Sequence, residues 1–93
     1  MIEQTENFLT DLESYASLMF TRAEIAVIME VNPRELELLL QDSDNPAFRS
    51  FSRGRLKREA ELRKGIFDLA SNGSSPAQTL ALKLIENAKT DDL

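Results

Sequence analysis

Seven cationic side chains, Arg49, Arg53, Arg55, Lys57, Arg58, Arg63 and Lys64, fall within sixteen residues that hold only two carboxylates, Glu59 and Glu61, in a chain of formal net charge -5. Arg49, Arg53, Lys57 and Lys64 recur at four- and seven-residue intervals, which gathers them on one face of a helix. Such a face suits one kind of chemistry: it neutralises the oxygens of a phosphate backbone and releases the counterions condensed there. The plainer use of a charge run is a solvated helix held by pairs a turn apart, here Glu59 and Glu61 with Arg55, Lys57 or Arg63. Two anions leave five cations over. Their counter-charge is expected in a polyanion or in the acidic first half of a neighbouring subunit, because residues 1–48 carry ten acidic and two basic groups.

Few other chemistries are open to this chain. It has no cysteine and no histidine, which removes thiolate nucleophiles, disulfides, the commonest metal ligand and the commonest general base. Glu35 and Glu37 fall on different faces of one helix, Asp91-Asp92 sits in a tail expected to fray, and no glycine-rich phosphate loop occurs. The expectation is a non-enzyme with no metal and no cofactor. No run approaches the roughly 18 apolar residues of a membrane span, and MIEQTENF lacks the basic start and apolar stretch of a signal peptide. An intracellular, cytoplasmic protein without a membrane partner is expected.

The elements that must position the basic block are all helical. Phe8, Leu12, Tyr15 and Met19 recur at helical spacing, with Glu3, Glu6, Asp11 and Glu13 on the other side, which predicts an amphipathic helix over 2–18. Thr21-Arg-Ala-Glu24 is a capping box opening a helix over 22–30, and Asn32-Pro-Arg-Glu35 repeats the arrangement for a helix over 33–42. Pro46 opens a long helix to 72, stopped by Asn72-Gly73, and Ser75 caps a last helix over 76–88. Gly54 and Gly65 each cost roughly 1 kcal/mol in a helix interior, so a bend or break near Gly54 is expected. The fold class is all-α: an N-terminal helix plus a helix-turn-helix, then a long helix and a C-terminal helix forming a hairpin. The domain division is expected at 1–45, the head, and 46–93, the basic helix and hairpin.

Within the head, TRAEIAVIMEVNPRELELLL has the pattern of a helix-turn-helix, with Ile25, Ala26, Val31, Leu36 and Leu39 inside. Ala26 lets the two backbones approach, Val31 plugs the corner, and Glu30 occupies the turn position that glycine commonly takes. The second helix of this unit offers Arg34 to a duplex, but Glu35, Glu37 and Asp42 oppose a phosphate backbone unless each is turned away. Candidate DNA contacts are therefore Arg49, Arg53, Arg55, Lys57 and Arg58 on the long helix, with Arg34 at the edge of the same surface. In the hairpin, Leu62, Ile66, Phe67, Leu80, Leu84 and Ile85 exceed what two helices cover, and are the candidate oligomerisation residues.

From Phe20 onward the order of parts resembles that of phage DNA-packaging terminase small subunits. The residues carrying the resemblance are Phe51, Arg53-Gly54, Leu62-Arg63, Leu69-Ala70, Asn72-Gly73 and Pro76-Ala77, following the helix-turn-helix pattern. The resemblance implies a phage- or prophage-encoded component of the bacterial host cytoplasm. It implies a homo-oligomer, a ring, that binds double-stranded DNA near the packaging start and hands it to a large terminase subunit owning the ATPase and nuclease. Two other classes fit parts of the sequence: a helix-turn-helix transcription regulator, and a helical protein-interaction module that does not bind DNA.

Overall fold

The computed structural model describes residues 1–92. Five helices follow in order, α1 (Glu6–Ser17), α2 (Arg22–Ile28), α3 (Pro33–Gln41), α4 (Pro46–Ser71) and α5 (Ser75–Asp92), and no strand occurs among the described residues. The chain gathers into two compact units, one spanning Met1–Arg58 and one running from Glu59 onward. The first three turns of α4 thus belong with the head rather than with the hairpin.

Local chemistry sets the helix ends. α1 starts at Glu6, not near Ile2, because the Thr5 hydroxyl accepts from the Phe8 amide at 3.1 Å. The Thr21 capping box is complete: Thr21 Oγ1 accepts from the Glu24 amide at 3.1 Å and Glu24 Oε1 from the Thr21 amide at 2.9 Å. At Asn32 only half of the expected box forms. Its side chain accepts from the Arg34 and Glu35 amides, while the Glu35 carboxylate turns to the Met1 amino group, 3.5 Å away. Two side chains, Asn45 and Gln4, accept from the Ala47 amide and close the start of α4. The last helix is capped one residue earlier than expected, the Ser74 hydroxyl accepting from the Ala77 amide, and it continues past Ala88 to Asp92.

Between α2 and α3 the chain turns sharply. Val31 N–H donates to Ala26 C=O at 3.0 Å and Glu30 N–H to Val27 C=O at 3.2 Å, the two bonds of a Schellman stop. Glu30 takes the left-handed conformation that the turn demands, with φ 55°. Ala26 is buried beneath it. The α2–turn–α3 unit is therefore the helix-turn-helix read from the sequence.

The core of the first unit is Leu12, Ala16, Ile25, Ala26, Leu36, Leu40, Ala47 and Phe51, one contiguous cluster drawn from all four helices, with Phe8, Tyr15, Phe20 and Val31 packed against it. Gly54 does not break α4. It is buried against α1, where an added Cβ would overlap the Glu13 carbonyl oxygen and stand 3.1 Å from Ala16 Cβ. The missing side chain lets two helix backbones touch, and helical hydrogen bonding continues through it.

In the second unit, the end of α4 stops at Gly73, φ 98°, with Ser74 N–H bonded to Leu69 C=O and Gly73 N–H to Ala70 C=O. The Gln78 amide group donates back to Ala70 C=O at 3.1 Å, holding the start of α5 to the end of α4. Among the described residues of this unit only Ala77 and Ala81 are buried; Ile66, Ala70 and Leu84 are half-buried.

Candidate nucleic-acid interface

The basic block does not stand free on α4. Arg53 Nε donates to Glu13 Oε1 at 2.5 Å, Arg53 Nη2 to Ser50 Oγ at 3.4 Å, and Lys57 Nζ to Glu13 Oε2 at 3.4 Å. Arg55 Nη2 donates to Phe20 C=O at 2.6 Å while its guanidinium lies 4.5 Å over the Phe51 ring. Arg58 Nε donates to Ser17 C=O at 2.8 Å. Arg58 thus closes the C-terminal end of α1, where unpaired carbonyls and the helix dipole favour positive charge, Arg55 holds the turn that follows, and Arg53 and Lys57 converge on a carboxylate of α1. A carboxylate of this chain's own first half, Glu13, meets Arg53 and Lys57 together. That source of counter-charge was absent from the sequence expectation, which looked to a polyanion or a neighbouring subunit.

Glu13 was placed on the solvent side of α1 by its spacing, yet it is the hub of this contact. The Arg53 hydrogen bond, helped by Lys57, holds its carboxyl below the ordinary carboxylate range against the opposing effect of partial burial. No local signal marks it, since its partners lie 40 and 44 residues away.

The other candidates sit differently. Arg49 is exposed on the first turns of α4 and makes no ion pair among the described residues. Arg34 is exposed on α3 beside a shallow groove lined by Arg22, Ala23, Pro33 and Glu37. Leu62, Phe67, Leu80 and Ile85 are exposed and Ile66 and Leu84 half-buried, all in the second unit.

The two carboxylates of α3, and Asp42 just after it, each have a partner within the chain. Glu37 takes Arg22 Nη1 of α2 at 2.7 Å, Glu35 lies 3.5 Å from the Met1 amino group, and Asp42 accepts from the Asp44 amide at 3.0 Å. Leu36 and Leu40 point into the core, so the opposite face of α3, at i, i+4 and i+7, is Arg34, Leu38 and Gln41. Leu38 is 66% exposed, a large apolar side chain with no place in the core. The outward face of α3 thus carries a cationic donor, an apolar group and an amide, with the half-exposed carboxylates of Glu35 beside Leu38 and Glu37 beside Arg34. Sequence reasoning counted the acids of this helix but missed Leu38 and Gln41, which the same spacing would have exposed.

Among the described residues no group of carboxylates is placed to hold a metal ion, and no helix is long and apolar enough to cross a membrane. No family model matches the sequence, and neither the curated proteins nor the solved structures provide a match.

Proposed function

We propose that this chain is a non-enzymatic DNA-binding component of a phage DNA-packaging terminase, a small subunit that assembles as an oligomer and delivers duplex DNA to the large subunit. The observation that carries the DNA part is the outward face of α3. It presents Arg34, Leu38 and Gln41 to solvent on the second helix of a helix-turn-helix, flanked by Glu37, which is paired with Arg22, and by Glu35, which lies beside the Met1 amino group. Those side-chain types match base edges in a major groove: arginine pairs with guanine, glutamine with adenine, and an apolar group packs on the thymine methyl. Arg49 supplies a phosphate contact from α4.

Support for assembly comes from the second unit, where Leu62, Leu69, Leu80 and Leu82 are each at least half exposed. Hairpins packed side by side would bury them at about 25 cal/mol per Å². Several weakly binding heads carried on one oligomer would then act on one duplex together, each raising the effective concentration of the next.

Fluorescence anisotropy of a labelled duplex, titrated at several salt concentrations, tests the reading. Binding should weaken steeply with salt, and Arg49→Ala should lower the logarithmic slope by about one unit with little change in sequence preference. Leu38→Ala and Gln41→Ala should alter preference and leave the slope. Absence of duplex binding at low salt would rule the DNA part out.

A second reading, a helical protein-interaction module that never meets DNA, is favoured by the engagement of Arg53, Arg55, Lys57 and Arg58 with α1 and the turn after it. Sedimentation adds a further division: a large ring supports the packaging role, a dimer the transcription regulator, and a monomer neither.

A further inference from the structure

The two oxygens of Glu13 each receive one cation, Arg53 Nε on Oε1 and Lys57 Nζ on Oε2. The donors stand one helical turn apart on α4, and together they focus on a single anion with two oxygens. A phosphate diester presents the same target, one negative charge shared by two unesterified oxygens. The neighbouring contacts are of another kind. Arg55 and Arg58 donate to main-chain carbonyls at and after the end of α1, and withdrawing them would leave those carbonyls without their donors. Arg53 and Lys57, by contrast, have side chains 52% and 64% exposed and hold a carboxylate at the solvent boundary, the kind of pair that exchanges at little cost.

We infer that Arg53 and Lys57 form a clamp for one backbone phosphate of a duplex, and that Glu13 is its internal occupant, which must leave before the phosphate enters. The inference rests on the DNA-binding reading above and adds a regulated site to it. The carboxyl of Glu13, held below its ordinary range by the same two cations, is fully charged at neutral pH and competes there at full strength. It suppresses weak, non-specific attachment: only a duplex also held elsewhere, by α3 or by other subunits, displaces it.

The test is duplex binding by Glu13→Gln at moderate salt. Glutamine keeps the shape and an oxygen for Arg53 while removing the competing charge. Affinity should rise roughly fivefold, the scale of two exposed ion pairs no longer having to be broken. Asp11→Asn removes the same charge from an exposed position of α1 and should change affinity less than twofold. In an Arg53→Gln, Lys57→Gln background the gain from Glu13→Gln should vanish. An equal gain from Asp11→Asn, or a gain that survives loss of both cations, overturns the clamp and leaves a general field effect. Thermal melting checks that the head still folds; should Glu13→Gln unfold it, Glu13→Asp, which withdraws the carboxylate by one methylene, should give a smaller gain of the same sign, and no gain overturns the inference. If wild type binds duplex while the Glu13 variants bind as wild type does, only the clamp falls. If no variant and no wild type binds, the DNA-binding reading has failed and the clamp with it.

Discussion

The two units of this chain use the same helical grammar and end in opposite states. In Met1–Arg58 four helical segments enclose eight buried apolar residues, and leucines at positions 12, 36 and 40 are almost wholly removed from water. From Glu59 onward two helical segments bury, among the described residues, only Ala77 and Ala81, while Leu80 and Leu82 are 50% and 60% exposed. The difference is geometric: helices arranged around a centre share an interior, whereas two helices share only a line, and an apolar arc wider than that line stays wet.

Substitutions of one type made in both units break or sharpen this contrast. The largest expected effect is Leu36→Ala, which opens a cavity in the closed core and should cost about 2–5 kcal/mol in denaturant unfolding. Leu80→Ala at high dilution should stay within about 0.5 kcal/mol, since water already covers half of that side chain. Equal losses at the two sites would show that the second unit has a closed core of its own. Next comes glycine to alanine at two positions of one helix. Gly54→Ala drives a methyl into the Glu13 backbone and should cost about 1–3 kcal/mol, whereas Gly65, with nothing within 4 Å of its added Cβ, should gain up to about 1 kcal/mol as alanine. Thermal midpoints moving in the same direction would contradict the packing of α4 on α1.

The smallest expected effect is on pH dependence. Glu13 is more acidic folded than unfolded, so its contribution is fully present above the ordinary carboxylate range and is lost as pH falls through its lowered value. Stability of the wild-type head should therefore decline on acidification below that range, and Glu13→Gln should flatten the decline without touching the neutral-pH plateau's dependence on pH. An identical acid profile for the two proteins would show that Glu13 is not paired in solution.

Much of this fold was legible in the residue order because its signals are local. Thr21 with Glu24, Asn32 with Pro33, and Asn72-Gly73 each place a helix end through contacts within a few residues, and Glu30 in the glycine position of the turn was readable for the same reason. Gly54 was misread as a weak point, since propensity counts its backbone freedom and cannot see a helix lying against it. The candidate site was half legible. The basic block was conspicuous by composition, but where its charge goes depends on Glu13, Ser17 and Phe20, which lie 35 to 44 residues away in the chain.

The sequence by itself determined that the chain is all-helical, where its second, third and fourth helices start, that its charge is segregated, and that cysteine and histidine chemistry is absent. Those properties depend on residue identity and on contacts no more than a turn or two long. Only the tertiary structure decided that α1 and the turn after it engage four cations of the block, that Glu37 pairs with Arg22 and Glu35 with the Met1 amino group beside Arg34 and Leu38, and that one unit encloses a cluster of large apolar side chains while the other buries two alanines among its described residues. Each of these depends on which helix faces come together, and that choice is made by packing the whole core at once, through residues such as Gly54 and Ala16 whose importance lies in the backbone they allow to approach.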